Sequence, residues 1–178
     1  MECKRAVFFC SASNDIDPKY NQAARDAVRA ACLLGYEIVS GGGNRGIMKT
    51  VCETAEECGA LNVGILPRFM VGLDYKGLSQ TIWTDTMSVR KEALRNGVSL
   101  VVTLPGGMGS MDEFFESFVL VKLKQMQARL IVCNFFGFYE PLKALMQHFV
   151  ATNMLTEEDY NLVEFVDTPE EFAKAIEE

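Results

Sequence analysis

Six short, nearly continuous apolar runs punctuate the chain, at residues 6–10, 36–40, 62–66, 99–104, 130–133 and 162–166, and between most of them lies an amphipathic stretch of helix length. A run that is apolar on both faces suits a strand covered on both sides. Strands of that kind alternating with helices are the pattern of a parallel sheet sandwiched between helical layers. The pattern predicts an α/β fold, a doubly wound parallel sheet with helices on both faces. The expected helices cover 20–34, 47–58, 87–96, 111–127, 139–153 and 169–177. The segment 67–86, PRFMVGLDYKGLSQTIWTDT, carries two glycines, mixed charges and the sole Trp without helical periodicity, and reads as a lid or binding loop. No repeat or linker interrupts the chain, so residues 1–178 are expected to form one domain.

Charge narrows the partners. Lys and Arg number 17 against 24 Asp and Glu, a net charge of −7, which leaves no basic stripe for nucleic acid. An anionic ligand therefore needs a local pocket. No window is long and apolar enough to span a bilayer, and the apolar run in MECKRAVFFCSAS is too short for a signal peptide, so it reads as a first core strand. Cys3, Cys10, Cys32, Cys52, Cys58 and Cys133 form no C-x-x-C pair and read as reduced thiols of a cytoplasmic protein. With His148 as the one histidine, no His/Cys cluster has zinc spacing, and no metal is expected.

Two glycine-rich loops each follow a strand and open a helix. The first, SGGGNRGIM, brings Gly41, Gly42, Gly43 and Gly46 to a turn whose N–H groups can face an anion, a phosphate cradle. Gly41, Gly43 and Gly46 also satisfy G-x-G-x-x-G. However, the loop follows the second strand, and Pro67–Arg68 stands where a dinucleotide fold places an acid about 20 residues on, which argues against a nicotinamide cofactor. The second loop, TLPGGMGSMDEFFESF, follows the most apolar strand. Two such turns in one open sheet place two anion-binding helix ends where these sheets bind ligands, although Gly106, Gly107 and Gly109 would equally serve a tight turn.

Ser110 and Glu113 admit two readings. S-x-x-E ahead of an apolar helix is a capping box, while Glu113 and Glu116 on one helix face beside a phosphate loop suit acid–base work. Arg90, next to Lys91 near a helix start in MSVRKEALRNG, is opposed by the helix dipole and calls for an anion, or else faces water on a solvated helix.

Taken together, FFCSASNDIDPKY, SGGGNRGIM, MSVRK, LPGGMGSMDE, FYEPL and DTPEEF resemble the "Lonely guy" family of cytokinin riboside 5′-monophosphate phosphoribohydrolases, often mislabelled lysine decarboxylases. The resemblance covers almost the whole chain. It implies a Rossmann-like domain, a homodimer, no cofactor, and hydrolysis of the N-glycosidic bond of a nucleoside 5′-monophosphate to free base and ribose 5-phosphate. It assigns catalysis to Arg90 and Glu113, and substrate or phosphate binding to Gly42, Gly43, Lys91, Gly106, Gly107, Met108, Gly109, Ser110, Met111 and Asp112. Ser13, Met87 and Glu116 are further candidates at the margins of these motifs. The sequence departs from the family pattern at Ser11, Asn44, Arg45, Ser88, Val89, Ser110, Asp112 and Phe118, the last at a position where a substrate-contacting Thr is common.

Those departures motivate an alternative, a carrier that holds a nucleotide or pterin-type cofactor without cleaving it. A decarboxylase is disfavoured because no lysine is marked as a Schiff-base former. The apolar content of FFESFVLVKLKQM exceeds one narrow stripe, which suits a helix buried by the sheet on one side and by a second copy on the other.

Overall fold

A computed structural model describes residues 4–177, so Cys3 and Glu178 lie outside the described residues. The strands are β1 (Arg5–Phe9), β2 (Glu37–Ser40), β3 (Asn62–Pro67), β4 (Gln80–Thr84), β5 (Leu100–Thr103), β6 (Arg129–Cys133) and β7 (Val163–Val166). They form one sheet in the order β4-β3-β2-β1-β5-β6-β7, and every pairing is parallel. The chain winds outward from β1 to the β4 edge, returns to the other side of β1 at β5, and winds outward again. The expected doubly wound α/β architecture is the observed one.

Alternate residues of the central strand serve opposite layers. Ala6, Phe8 and Cys10 pack under α1 (Pro18–Leu33), α2 (Gly46–Glu57) and α7 (Pro169–Glu177). Val7 and Phe9 pack under α3 (Met87–Arg95), α4 (Met108–Lys122) and α5 (Glu140–Ala151). A short α6 (Glu157–Tyr160) precedes β7. Phe172 and Phe114, fully buried on opposite faces, each contribute roughly 2–3 kcal/mol by burial.

Local chemistry sets the helix starts. Asp17 Oδ1 accepts the Lys19 N–H at 3.0 Å with Pro18 in the first turn of α1, and Thr86 Oγ1 accepts the Val89 N–H at 3.2 Å at the start of α3. Thr168 Oγ1 takes the Glu171 N–H at 3.1 Å, while Glu171 Oε2 reaches back to the Asp167 N–H at 2.8 Å. This reciprocal capping sits at α7.

Two expectations are corrected. The segment 67–86 contains a strand: β4 pairs with β3 along its whole length, as in Ile65↔Ile82 and Pro67↔Thr84. Its sequence QTIWT is polar and partly exposed because it forms the sheet edge, so it lacks the two-sided apolar signal of the inner strands. Helix α4 begins at Met108 rather than 111, with Gly107 as the cap residue and no side-chain cap bond. Ser110 therefore lies inside the first turn, and the capping-box reading of Ser110 and Glu113 fails.

Candidate functional site

Because the winding reverses between β1 and β5, the loops leaving those two strands diverge and open a crevice at their carboxyl ends. Main-chain bonds tie three loops together around it. Ser11 N–H donates to Pro105 O at 3.2 Å, joining the β1 and β5 loops, and Met48 N–H donates to Ser11 O at 3.1 Å, joining the start of α2. Asn14 Oδ1 accepts the Gly46 N–H at 2.9 Å. The close approach of the β1 loop here explains a glycine: Gly46 has φ +59°, and a Cβ there would lie 2.5 Å from Ser13 O.

The crevice holds a cavity of about 350 Å³. Cys10, Ser11, Ala12, Met48, Met70 and Met87 line it together with Arg90, Gly107, Gly109, Ser110 and Glu113. A smaller chamber of about 150 Å³, lined among others by Tyr20, Pro105, Gly106 and Phe138, adjoins it through Ser11 and Gly107. The Tyr20 ring meets Phe138 edge-on at 5.6 Å. Tyr139, buried behind the loop, donates its hydroxyl to Leu104 O at 2.8 Å, which anchors the end of β5.

Arg90 and Glu113 meet inside this cavity. Arg90 Nη1 lies 2.8 Å from Glu113 Oε1, and Arg90 Nε donates to Ile65 O at 2.9 Å, so the guanidinium is held from two sides. Both side chains are largely buried, at 9% and 14% exposure. Gly41 completes the seat: a Cβ at that position would fall 2.5 Å from Arg90 Nη2. Burial pushes the Glu113 carboxyl above its ordinary value, and the facing Arg90 counteracts only part of that rise. Burial also raises the Cys10 thiol well above the usual range, with the charges of Cys52 and Glu113 adding to it. Beside this pair the first turn of α4 presents N–H groups without intrahelical partners, an arrangement suited to an anion.

The expected site residues divide into those that share this cavity and those that do not. Arg90, Glu113, Gly107, Gly109, Ser110 and Met87 share it, and Gly106 lines the adjoining chamber. Gly42 and Gly43 lie in the neighbouring loop, where Gly42 O accepts the Tyr75 N–H at 2.8 Å and Gly43 bridges Asp74. Lys91, Met108, Met111, Asp112 and Glu116 instead border a separate apolar groove between α4 and α5. There Lys91 Nζ pairs with Asp112 at 3.1 Å and with Glu116 at 3.0 Å. Ser13 is exposed and outside the cavity, its Oγ accepting the Asp15 N–H at 3.3 Å. Phe118 is also elsewhere, buried in the core beside Phe114 at 6.3 Å between ring centres, and Ser88 opens onto a polar groove with Glu92 and Arg95.

Sequence reasoning passed over Cys10, Ala12, Met48 and Met70 as site residues. Cys10 ends a core strand, Met48 looks like an ordinary first-turn helix residue, and Met70 belongs to the loop that folds back over Gly42 and Asn44. Only the three-loop convergence brings them together. Among the described residues no group of three or more His, Cys, Asp or Glu is arranged to hold a metal ion, and no helix is long and apolar enough to cross a membrane.

A family model described as "Possible lysine decarboxylase" matches residues 48–176. A cytokinin riboside 5′-monophosphate phosphoribohydrolase of Rhodococcoides fascians is 27% identical over 86% of this chain and 79% of its own. One of Mycobacterium tuberculosis is 26% identical over 94% of this chain and 90% of its own. Among solved structures, a molybdenum cofactor carrier protein from Chlamydomonas reinhardtii superposes with a TM-score of 0.74 at 16% identity, covering 98% of this chain and 96% of that one. A molybdenum cofactor binding protein from Rippkaea orientalis gives 0.71 at 18%, covering 99% and 96%.

Proposed function

The chain belongs to the "Lonely guy" family, whose model carries the decarboxylase description, and on that premise we propose that it hydrolyses the N-glycosidic bond of a nucleoside 5′-monophosphate, releasing free base and ribose 5-phosphate. The observation that carries this reading is the Arg90–Glu113 pair, 2.8 Å apart inside a cavity that the first turn of α4 also borders.

Breaking the bond from ribose to base builds positive charge on the sugar, so the transition state resembles an oxocarbenium ion. A carboxylate beside that carbon stabilises the charge, or takes the proton of the attacking water, and Glu113 is the carboxylate at hand. The phosphate sits against the N–H groups of Gly107, Met108 and Gly109 at the mouth of α4. Binding energy gathered there, remote from the breaking bond, orients the sugar against Glu113. Arg90 fixes the Glu113 carboxylate through Nη1 and keeps a positive charge beside the reacting region. The thioethers of Met48, Met70 and Met87 give the base an adaptable apolar wall. Lys91 and Asp112 are not assigned to this step, since they pair with each other away from the cavity.

We further propose a homodimer built on the α4–α5 groove. Met108, Met111, Phe115, Val119, Leu142 and Leu145 line about 840 Å³ of open apolar space there, and Met108 and Val119 are 86% and 45% exposed. The exposed Met108, Val119 and Leu145 along this groove leave apolar surface that a second copy can bury.

A second reading is a carrier that holds a nucleotide or pterin-type ligand intact. Arg90 and Glu113 neutralise one another, and the structural neighbours named as molybdenum cofactor binding or carrier proteins share the fold. Chromatography separates the two readings. Incubation with AMP and with isopentenyladenosine monophosphate yields free base and ribose 5-phosphate if the hydrolase reading is right. Neither product, together with an intact ligand retained through purification, favours the carrier.

A further inference from the structure

A second pair of side chains lies at the other end of the sheet. Cys32 is in the last turn of α1, and Cys58 caps the C-terminus of α2. Each helix stops at a left-handed glycine, Gly35 at φ +78° and Gly59 at φ +67°, so both chains turn sharply toward the sheet just beyond their thiols. Cys32, Gly35, Tyr36, Cys58, Gly59 and Leu61 line one surface cavity of about 240 Å³ at the amino ends of β2 and β3. Both thiols are free, Cys58 exposed and Cys32 half-buried. The two side chains share this cavity, close enough that the charge of Cys58 bears on the Cys32 thiol.

We propose that Cys32 and Cys58 are a redox-responsive dithiol which closes to a disulfide under a low-molecular-weight disulfide oxidant and clamps the far ends of α1 and α2 together. The order of events follows from exposure. Burial first, and then the nearby Cys58, push the Cys32 thiol up to about 12, so Cys32 is a poor first nucleophile and the exposed Cys58 is the entry point. The Cys58 thiolate attacks one sulfur of glutathione disulfide, forming a mixed disulfide and expelling one glutathione thiolate. Capping Cys58 removes the share of that rise its charge supplies, while burial, the larger cause, remains. Cys32 then gives its proton to water and attacks Cys58 Sγ, expelling the second glutathione thiolate. The protein loses two hydrogens, and one glutathione disulfide becomes two glutathiones.

The same two helices carry site loops at their opposite ends. Ser11 and Asn14 precede α1, Gly46 opens α2, and Asn21 Oδ1 of α1 accepts from Thr50 Oγ1 of α2 at 3.2 Å. A cross-link at the far ends would leave the α1–α2 pair tied at both ends.

The test uses the full chain treated with glutathione disulfide, quenched in acid, alkylated and mapped by mass spectrometry. The expected product is a Cys32–Cys58 cross-linked peptide pair, reversed by dithiothreitol. Cys32→Ser should stop at glutathione on Cys58, and Cys58→Ser should leave Cys32 alkylatable. Oxidised wild-type protein should melt roughly 5 °C higher, since the bond closes a loop of moderate length in the unfolded chain. Glutathione retained on Cys58 beside a free Cys32, or pairing of either with Cys3, Cys10, Cys52 or Cys133, overturns the dithiol. An unchanged melting temperature after cross-linking overturns the clamp. None of these readouts depends on the proposed hydrolase activity.

Discussion

Arg90 and Lys91 are neighbours in sequence and serve different sides of α3: the Arg90 guanidinium turns in to Glu113 at 2.8 Å, and the Lys91 ammonium turns out to Glu116 at 3.0 Å. One step along a helix rotates the side chain by about 100°, enough to send one cation into the crevice and the other to the α4 surface. The two should therefore differ sharply on substitution. Arg90→Lys loses the two-sided hold on Ile65 O and Glu113, and kcat should fall at least about 100-fold, the scale on which a misplaced group near the chemistry is felt. Lys91→Ala should leave kcat within about tenfold of wild type, because its partners are Asp112 and Glu116. Steady-state rates of base release check both, and equal losses in the two variants would defeat this assignment.

Glu113→Gln should preserve the circular dichroism spectrum and lower turnover by about 10²–10⁴-fold, the usual worth of a positioned acid–base group. The pH profile should carry the same residue. Burial holds the Glu113 carboxyl above its ordinary 4.5, so activity that needs the carboxylate should fade on acidification at a pH above the normal carboxylate range. Stability should move the other way. A carboxyl that binds its proton more tightly when folded stabilises the protein fully at pH below its unfolded value, and that contribution is lost as pH rises through the raised folded value. Glu113→Gln should remove this slope from a plot of melting temperature against pH, and an unchanged slope would show that the burial effect is absent.

How much of this was legible beforehand depends on whether the signal was local. The inner strands β1, β2, β3, β5 and β6 declared themselves because both their faces are covered, and Arg90, Glu113 and the loop Gly106–Gly107 stood out through motif and resemblance. The β4 strand did not, since an edge strand such as QTIWT needs no two-sided apolar run. Ser110 and Glu113 matched a capping box in spacing, yet Gly107 starts α4 one turn earlier and Arg90 engages the carboxylate that the box would have used. Lys91, Asp112 and Glu116 sat beside the right residues in sequence, and helical rotation carried them to another face. Met48 and Met70 enter the cavity only through contacts between loops distant in sequence, which no local pattern encodes.

Two glycines of the first loop should prove intolerant for different reasons. A Cβ on Gly41 would meet Arg90 Nη2 at 2.5 Å and Met48 Cε at 2.8 Å, so Gly41→Ala must displace the guanidinium or the thioether and should reduce turnover more than it reduces stability. Gly46 combines φ +59° with a main-chain neighbour, Ser13 O, that cannot swing aside; Gly46→Ala should cost about 1–3 kcal/mol in denaturant titration. A Gly46→Ala variant as stable as wild type would contradict the close approach of the β1 loop to α2.

The α4–α5 groove supplies the last test. An exposed apolar strip of this kind on a folded chain is the sort of surface that associates, and Met108, Val119 and Leu145 stay exposed along it. Val119, 45% exposed at the groove, does not line the Arg90–Glu113 cavity, so Val119→Asp should leave the fold intact while placing a charge on the face of the proposed dimer. Wild-type protein should sediment at twice the chain mass of 19.8 kDa at micromolar concentration, and Val119→Asp should sediment at the chain mass itself. A wild-type monomer would remove the dimer outright. A dimeric Val119→Asp would move the interface to another face, leaving Met108, Phe115 and Leu145 exposed for some other partner.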